Sequence, residues 1–491
     1  MRKLFMLSSA GILSGIALIS WFYPGFWWAM VIIAPLLLLG VYDMVQHKHT
    51  ILRNFPIIGH FRYLFEFISP EIQQYFIERH TDGTPFSRNY RRIVYQRAKE
   101  TNDTHPYGTE LNLYDPSYEG LKHSIYPAEI PEAAPRIRIG NEQCSQPYSA
   151  ALLNISAMSF GAISKNAILA LNQGARMGGF YHNTGEGGVS KYHLQGGGDL
   201  VWQIGTAYFG CRTQDGRFDP NAFRESAAHE QIKMIELKLS QGAKPGYGGV
   251  LPAIKNTSEI AEFRMIDPHT RVVSPPGHKV FNDATGLLRF IQRLRALSNG
   301  KPVGFKLCVG RREEFTTLCD TMQATGIYPD FITVDGAEGG TGAAQLEFSD
   351  SVGMPLEPAL KFVHQSLQDR GLRDHIKLIA SGKILTAVSI IKMLALGADI
   401  CNSARGFMLA LGCIQALRCN TNQCPTGITT QNPRLVQGLV VEDKKTRVTN
   451  FHKNTVHTAL AMMAASGVRR VEDLSPEIFM HGTEWQLSQR I

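Results

Sequence analysis

Cysteine and charge are both scarce in this chain. Cysteine occurs 8 times in 491 residues, charged residues make up 19% of the sequence, and the mean hydropathy is −0.11. So little cysteine in so long a chain excludes a small disulfide-bonded scaffold. Apolar residues reach 44%, which excludes a disordered or collagen-like chain, and the mean hydropathy excludes a membrane protein with many spans. The length therefore predicts a large folded core.

Charge is entirely absent from one long window, Leu4–Tyr42. The window holds two apolar runs, Leu4–Phe22 and Phe26–Val41, which a Tyr-Pro-Gly turn separates. The first run is long enough to cross a bilayer, and the second becomes so when a few residues extend it. Trp21 and Trp28 lie at the turn, as in the aromatic belt of a lipid–water boundary. Residues 1–46 are therefore predicted to form a transmembrane helical hairpin.

The basic residues around this hairpin predict its orientation. Arg2 and Lys3 precede it, and Lys48 and Arg53 follow it. Because cytoplasmic flanks carry the positive charge, both ends and the following domain are expected on the cytoplasmic side of the inner (cytoplasmic) membrane. A cleaved signal peptide requires small residues at its end, whereas the first run ends in bulky aromatic residues. A buried helical hairpin is the remaining alternative.

Residues 47–130 are predicted to be a basic connecting region in a chain whose net charge is +8. Five of its basic side chains stand close together: Arg88, Arg91, Arg92, Arg97 and Lys99. Contact with acidic membrane lipid and a solvated face with salt bridges explain them equally well. No nucleic acid partner is predicted, because no recognition motif accompanies these residues. Proline, tyrosine, aspartate and glycine beyond residue 100 predict an extended wrap that leads into the main domain.

The remainder of the chain alternates short apolar runs with helical periodicity. Eight runs are predicted as strands: Leu152–Ala157, Gly179–Thr184, Met234–Leu239, Arg271–Ser274, Val303–Cys308, Phe331–Asp335, Lys377–Ala380 and Asp399–Ser403. This alternation predicts an α/β fold, a parallel (β/α)8 TIM barrel over residues 131–450, with a helical tail over 451–491. The connection between the second and third runs is too long for a simple unit, which predicts an insertion there.

Glycine is dense after the sixth, seventh and eighth of these runs. Gly340, Gly382 and Gly406 lie in those turns, and Arg405 precedes the last of them. Backbone N–H groups at glycine approach a phosphate closely, and barrels bind phosphate after strands seven and eight. The turns therefore predict a phosphate site. A Rossmann fold is disfavoured because no G-x-G-x-x-G follows an early strand.

Three cysteines near the end of the barrel are spaced C-x5-C-x4-C. They are Cys413, Cys419 and Cys424, followed by Pro425. The spacing is wrong for ordinary zinc pairs, whereas three thiolates near a proline suit an iron–sulfur cluster. Structural cysteines are the alternative that the spacing leaves open. The other five cysteines are scattered and are predicted to be buried small apolar side chains.

Five motifs resemble, in chain order, the synthase domain of glutamate synthase. They are Ser156–Gly161, Thr184–Gly188, Gln241–Gly246, Gly339–Ala343 and the three spaced cysteines. With the hairpin, the sequence is similar to the stand-alone, membrane-anchored, FMN-binding members of that family in bacteria. The resemblance implies FMN in the barrel and a 3Fe-4S cluster on the three cysteines. It also implies reductive amination of 2-oxoglutarate with ammonia to L-glutamate through 2-iminoglutarate.

The resemblance also assigns cofactor residues. Ala157, Met158 and Ser159 match the segment against the isoalloxazine ring, and Gln203 and Lys306 match groups at the polar edge of that ring. A cation at that edge stabilises the reduced, anionic flavin, although a salt bridge at the barrel mouth is the alternative for Lys306. The phosphate cradle matches Gly340, Thr341, Gly382, Arg405 and Gly406.

Substrate and catalytic residues follow from the same motifs. Gln241 and Lys244 match the 2-oxoglutarate site, where an ammonium group pairs with a carboxylate. Glu186 matches the acidic residue near the flavin that exchanges protons with ammonia or the iminium. Glu186 and Lys244 are therefore the expected catalytic residues. The alternative for Glu186 is to brace its glycine turn.

The sequence also departs from the family. Its first cysteine is Cys144, so the N-terminal cysteine of the amidotransferase domain has no counterpart, and free ammonia or a separate amidotransferase is the expected nitrogen source. No second nucleotide-binding domain is recognised, so ferredoxin or another electron donor is expected to act through the cluster. Tyr247 replaces the glutamate of the family motif, which favours a second hypothesis, a different amine or amino-acid substrate. A non-catalytic, membrane-tethered electron-transfer module is a third hypothesis, which Lys244 and Glu186 disfavour.

Overall fold

The protein consists of two compact units. The structure, a computed structural model, describes residues 1–483 and separates into Met1–Pro85 and a second unit that begins at Phe86. This border lies inside the predicted connecting region 47–130. The predicted tail 451–491 runs past residue 483, so its last part lies outside the described residues.

The first unit is helical. Its elements are Arg2–Phe22, the 3-10 helix Pro24–Ala29, Met30–Val45, Thr50–Asn54, Gly59–Ile72 and the π-helical turn Gln73–Ile77. Within residues 1–483, Arg2–Phe22 and Pro24–Val45 are the two helical segments long and apolar enough to cross a membrane by length and composition. They coincide with the two predicted apolar runs. Only 11% of each apolar window is buried inside the protein, which argues against the buried hairpin.

The second unit is built on a closed barrel of eight parallel strands. In chain order they are Leu153–Ile155, His182–Asn183, Leu200–Ile204, Ile232–Lys238, Val303–Leu307, Phe331–Asp335, Lys377–Ser381 and Ile400–Ser403. Each strand pairs with the next, and the eighth returns to the first, with Cys401 opposite Leu153. The predicted TIM barrel is thereby confirmed. Nearly every strand residue is buried, as expected of parallel strands covered on both faces.

One predicted barrel strand was wrong and one was missed. Within the predicted Arg271–Ser274, only Val272–Val273 is a strand, and it pairs antiparallel with Val250–Leu251 outside the barrel. The third barrel strand is instead Leu200–Ile204, all of it buried. The long insertion therefore follows the fourth strand rather than the second. The five-residue run at 200–204 lies just after the glycines at 196–198. Glycines that border a short apolar run indicate a strand, and this was the available signal.

Helices cover the outside of the barrel. They are Lys165–Gly178, Lys191–Gly196, Pro220–Ala227, Ser258–Arg264, Ala284–Leu297, Arg312–Thr325, Leu346–Ser351, Leu356–Gln368, Ala387–Ala395, Arg405–Ala410, Pro433–Val436 and Val441–Ala465, with 3-10 turns at Ala253–Lys255, Val471–Asp473 and Pro476–Ile478. The first is typical. The side chain of Ser164 accepts a hydrogen bond from the backbone N–H of Ala167, and Ile168 and Leu171 turn into the core.

The helix Arg88–Lys99 packs against the long helix Val441–Ala465. Asn454 Nδ2 donates to the carbonyl oxygen of Arg97 at 3.0 Å. Arg91 and Arg97 are buried, so both lipid contact and a solvated face are wrong for these two members of the predicted basic group. The long helix also crosses residue 450, where the barrel was predicted to give way to the tail.

The predicted wrap has little regular structure. Its strand Glu119–Leu121 pairs antiparallel with Phe479–His481. Farther along, the backbone N–H of Ser124 donates to the carbonyl oxygen of Ala465 at 2.9 Å. The wrap is therefore fixed to the segment that follows the barrel. A separate antiparallel pair, Arg136–Ile139 with Tyr148–Ala151, leads into the first barrel strand.

Candidate functional site

Charged side chains collect where the barrel strands end. Lys238 Nζ lies 2.7 Å from Glu186 Oε1, and Lys306 Nζ lies 3.9 Å from Asp335 Oδ2. The two lysines end or nearly end the fourth and fifth strands, so their long side chains reach the C-terminal mouth, where barrel chemistry takes place. Lys238 was not predicted from the sequence. The available signal was a lysine at the C-terminal end of a barrel strand.

Glu186 is tightly enclosed by glycine. A Cβ atom added to Gly205 would lie 2.6 Å from Glu186 Oε2, and one added to Gly249 would also clash with its carboxylate. Burial alone would raise the pKa of Glu186, but the nearby charges of Lys238, Lys244 and Arg264 outweigh it and lower the pKa below the ordinary value. Glu186 is therefore an ionised carboxylate at neutral pH.

Lys244 is a buried ammonium group with a side chain that is only slightly accessible. The residue is 3% exposed, and its Nζ donates to the carbonyl oxygens of Gly248 at 2.8 Å and Ala343 at 3.5 Å. Burial, with Lys238 nearby, lowers its pKa to about 8, although Glu186 opposes the shift. Within residues 1–483, no carboxylate oxygen lies within 4.0 Å of this Nζ. The group is thus a cation whose direct partners are uncharged.

The ring of Tyr247 stands beside this ammonium. Lys244 Nζ lies 5.5 Å from the centroid of the Tyr247 ring, which packs on Phe348 with centroids 5.3 Å apart. A cation at this distance over an aromatic face is attracted to it. Gln241, the other predicted substrate residue, is half-buried at the start of the same loop, and its backbone oxygen accepts from Lys244 N at 3.3 Å.

Gln203 lies inside the barrel in a buried hydrogen-bond network centred on Glu236. Gln203 Nε2 donates to Glu236 Oε2 at 2.5 Å, and Asn183 Nδ2 donates to the same oxygen at 2.8 Å. Thr333 Oγ1 donates to Glu236 Oε1 at 2.6 Å. Because both carboxylate oxygens are occupied, this network fixes the rotamer of Gln203. Glu236 was not predicted as a site residue.

The segment of Ala157, Met158 and Ser159 lies directly against the turn that carries Glu186. A Cβ atom on Gly185, which has φ +64°, would lie 2.8 Å from the backbone N of Ser159. The Met158 N–H also donates to the carbonyl oxygen of Asn183 at 3.2 Å. Glycine is required at 185 both by its left-handed backbone and by this close approach. Two of the motifs are therefore neighbours in the fold.

Several predicted phosphate residues also come together. Arg405 Nη2 donates to the carbonyl oxygen of Glu338 at 2.7 Å, and a Cβ on Gly340 would lie 3.0 Å from the Arg405 guanidinium. Burial lowers the pKa of Arg405 to about 10, which leaves it charged at neutral pH. Gly340 and Thr341 are exposed, and Gly382 follows the seventh strand with φ +148°.

Two residues change the expected composition of the phosphate site, Gly406 and Lys383. A Cβ on Gly406 would lie 2.6 Å from Ser403 Oγ and 3.2 Å from the ring of Phe451, so packing alone requires glycine there. Lys383, which was not predicted, adds a second cation near Arg405. Burial and the charge of Arg405 lower its pKa.

The three spaced cysteines share one region of the second unit. Gln415 N donates to Cys413 Sγ at 3.4 Å, and Cys424 Sγ lies 3.3 Å from Thr426 Oγ1. Burial raises the pKa of Cys413 to about 11, with Cys419 and Cys424 contributing. For Cys424, burial is outweighed by hydrogen bonds from threonines, and its pKa is lowered. Within residues 1–483, no group of three or more His, Cys, Asp or Glu side chains is placed to hold a metal ion.

The other five cysteines are buried, as predicted: Cys144, Cys211, Cys308, Cys319 and Cys401. All of them are free thiols. Burial raises the pKa of Cys144 to about 11 and of Cys319 to about 12, which keeps both protonated and unreactive at neutral pH.

Comparison with known proteins decides the relationship. The profile of the conserved region in glutamate synthase matches residues 96–469. The chain belongs to the glutamate synthase family. The glutamate synthase large subunit-like protein YerD of Bacillus subtilis (strain 168) is 37% identical over 92% of this chain and 94% of its own length. The archaeal glutamate synthase (NADPH) of Methanocaldococcus jannaschii is 35% identical over 65% of this chain and 60% of its own length.

Solved structures with partial similarity to this chain include a flavocytochrome b2 and a mandelate oxidase. A mutant of flavocytochrome b2 with pyruvate bound has a TM-score of 0.45 and 12% identity, and 85% of each chain is covered. Mandelate oxidase with (S)-2-phenylpropionate has a TM-score of 0.45 and 15% identity, covering 78% of this chain and 95% of that one.

In this glutamate synthase family member, a buried lysine joins the cysteine region to the loop after the first strand. Lys255 Nζ donates to the carbonyl oxygens of Ala162 at 2.9 Å and Cys419 at 2.7 Å. Gln431 Nε2 reinforces the link by donating to Gly161 O at 3.1 Å and Ile163 O at 3.0 Å. Hydrogen bonds thus connect the segment beside Ser159 to the cysteine segment. No pattern in the sequence predicts this connection.

Proposed function

We propose that the protein is a membrane-anchored FMN and iron–sulfur oxidoreductase that aminates 2-oxoglutarate with ammonia to give L-glutamate through 2-iminoglutarate. Family membership supports the reaction type. The observation that carries the substrate assignment is Lys244, a buried ammonium whose described partners are backbone carbonyl oxygens. A buried cation without an anionic partner is poorly solvated, so a substrate carboxylate would be its natural counter-ion.

The residues at the barrel mouth fit FMN. Arg405 and Gly340 would hold the phosphate, because the charged guanidinium adjoins a backbone without side chain. Lys306 and Gln203 would face the polar edge of the ring, and the Ala157–Ser159 segment would lie along it. FMN, when bound, supplies the hydride for imine reduction.

Substrate binding would use Lys244 and Gln241. The Lys244 ammonium would orient a carboxylate of 2-oxoglutarate, with the half-buried Gln241 at the start of the same loop. Tyr247 would exclude water from this ion pair, since its ring adjoins the ammonium and is supported by the ring of Phe348. Exclusion of water strengthens the pairing.

Proton transfer would use Glu186. Lys238 keeps Glu186 ionised, so its carboxylate oxygen would orient the nitrogen nucleophile and accept a proton from that nitrogen as it bonds to the 2-oxo carbon. The same proton would then be returned to the former carbonyl oxygen, which leaves as water when the imine forms. Lys238 would retain its own proton and keep the carboxylate in place through the 2.7 Å ion pair.

Electron supply would involve the cysteine region. The family resemblance assigns a 3Fe-4S cluster to Cys413, Cys419 and Cys424, although within residues 1–483 their side chains are not grouped to hold a metal ion. Ferredoxin or another donor would deliver the electrons, and a separate amidotransferase or free ammonia would supply nitrogen. The hairpin Arg2–Val45 would anchor the enzyme in the inner (cytoplasmic) membrane with the catalytic domain in the cytoplasm, as its length and flanking charges support.

The test is glutamate formation by the purified full-length protein. Chemically reduced enzyme is supplied with 2-oxoglutarate and ammonium, and glutamate is measured by mass spectrometry with 15N-labelled ammonium. Lys244→Met should abolish the product while the bound flavin absorbance persists. Lys361→Met, at an exposed lysine on the helix Leu356–Gln368, is the matched control and should retain activity. Absence of labelled glutamate from the reduced wild-type protein would contradict the proposal.

A second candidate is a flavin oxidoreductase that acts on a different amine or amino acid. Tyr247 favours it, because an aromatic ring stands 5.5 Å from the ammonium that would bind the substrate carboxylate. A panel of 2-oxo acids and amines, followed by flavin reoxidation and reduction, distinguishes the two candidates. Faster turnover with an apolar 2-oxo acid than with 2-oxoglutarate would favour this second function.

A further inference from the structure

An amphipathic helix follows the two apolar spans in the first unit. It runs over Gly59–Ile72 and continues as the π-helical turn Gln73–Ile77. Apolar residues recur at spacings of one, three and four positions along it, which places them on one face: Phe61, Leu64, Phe65, Ile68, Ile72, Tyr75 and Phe76. Phe61, Leu64, Phe65, Tyr75 and Phe76 are exposed, and Phe76 is 85% exposed. We call these seven residues the apolar face.

The helix packs on its own unit through the opposite side. A Cβ atom on Gly59 would lie 2.9 Å from Leu52 Cδ2, and the Tyr63 ring lies edge-on to His49 with centroids 5.5 Å apart. Gly59 and Tyr63 are one turn apart on the side away from the apolar face. The apolar face therefore points outward, where an exposed patch of this kind marks an interaction surface.

The start of the helix is fixed to the end of the second span. Asp43, which is fully buried two residues before that span ends at Val45, accepts a hydrogen bond from the backbone N–H of Ile57 at 2.9 Å. Its Oδ1 also lies 3.0 Å from His60 Nε2. If the span crosses a bilayer, this tie sets the helix at the depth where hydrocarbon gives way to water.

We propose that Gly59–Ile77 lies along the membrane interface, with the apolar face in the boundary between acyl chains and headgroups. The inference rests on the proposed membrane anchoring. Because the helix follows the two apolar spans, we expect the bilayer to cover the apolar face. The aromatic residues of this face are of the kind that lie at a lipid–water interface. One side next to the face carries Arg62 paired with Glu66 at 2.8 Å, and the other carries Glu71, so neither side adds an excess of positive charge. Association therefore depends on lipid hydrocarbon and not on acidic headgroups.

The experiment measures the depth of nitroxide labels in the full-length protein in nanodiscs of purely zwitterionic phosphatidylcholine. Labels are placed at Leu64→Cys and Phe76→Cys on the apolar face. Gln73→Cys, an exposed position off that face, is the matched control, and Leu13→Cys in the first span reports anchoring. The unsubstituted protein gives the background, because its cysteines are buried or half-buried. Collision with oxygen, enriched in hydrocarbon, is compared with collision with a water-soluble nickel chelate.

The expected result is a severalfold higher oxygen-to-nickel ratio at Leu64→Cys and Phe76→Cys than at Gln73→Cys, with Leu13→Cys highest. If Leu13→Cys is deep but positions 64 and 76 match position 73, the inference is overturned while the anchoring stands. If Leu13→Cys is also accessible to nickel, the anchoring fails and the inference fails with it. A signal at 64 and 76 that appears only after anionic lipid is added would overturn the assignment to hydrocarbon.

Discussion

The ammonium of Lys238 lies 2.7 Å from the carboxylate of Glu186. Lys238 ends the fourth barrel strand, whereas Glu186 lies in the turn after the second strand. This ion pair keeps a proton acceptor ionised in a largely buried mouth, because the nearby positive charge offsets the effect of burial on the pKa of Glu186. The proposed proton transfer depends on this ion pair.

Replacement of Lys238 by methionine should raise the pKa of Glu186 and move the acidic limb of the activity–pH profile upward. In the wild type the depressed pKa stabilises the fold above the ordinary carboxyl pKa, and this stabilisation is lost as pH falls through the lowered value. Removal of one partner from a buried pair costs about 3 kcal/mol. Chemical unfolding at neutral and acid pH, together with the activity profile, measures both effects. Lys233→Met, at the other end of the same strand, is the control; equal effects in both variants would contradict the role of the pair.

The affinity for the 2-oxo acid should fall as pH rises through the Lys244 pKa of about 8. Only the protonated amine pairs with a carboxylate, so KM should increase about tenfold for each pH unit above that value, while kcat changes less. Initial rates between pH 6.5 and 9.5 check this. Lys244→Arg, whose charge does not titrate in this range, should show a flat KM even if its overall rate is low. A KM independent of pH in the wild type would argue against Lys244 as the carboxylate ligand.

Substitutions at Tyr247 should distinguish the contribution of the aromatic ring to KM from the contribution of its hydroxyl. Tyr247→Phe keeps the face that adjoins Lys244 and should leave KM within about twofold, whereas Tyr247→Leu removes a cation–π contact worth about 0.5–1 kcal/mol and should raise KM roughly threefold. Both substitutions are tested against 2-oxoglutarate and an apolar 2-oxo acid. A change of substrate preference in Tyr247→Phe would assign specificity to the hydroxyl instead of the ring.

Lys255→Met should destabilise both the loop after the first barrel strand and the cysteine segment. The carbonyl oxygens of Ala162 and Cys419 would lose their ammonium donor, and unsatisfied buried acceptors cost about 1–3 kcal/mol each. Hydrogen exchange should accelerate in residues 160–163 and in residues 413–424 together, which mass spectrometry of peptides resolves. Lys361→Met, at the exposed lysine on the helix Leu356–Gln368, is the control. Faster exchange in only one of the two segments would show that Lys255 does not connect them.

The sequence predicted the barrel correctly, and the errors in assigning its strands have a common cause. Eight short runs were identified as strands, but a two-residue strand at Val272–Val273 was taken into the barrel while Leu200–Ile204 was not. Local pattern does not distinguish a short strand in an insertion from one in the barrel, because that depends on pairing partners distant in the chain. The same limit explains why Lys238, Lys255 and Glu236 were missed: their roles arise from contacts between elements 50 or more positions apart.

The antiparallel pair of Glu119–Leu121 with Phe479–His481 has a consequence for biosynthesis. One strand precedes the barrel and the other follows it, and the barrel itself closes by pairing its eighth strand with its first. The barrel cannot close until the ribosome has translated residues 400–403, and the outer pair cannot form until it has translated residues 479–481. One edge of the first barrel strand therefore stays unpaired on the nascent chain until the eighth strand is made, and an open edge of this kind can pair with another chain.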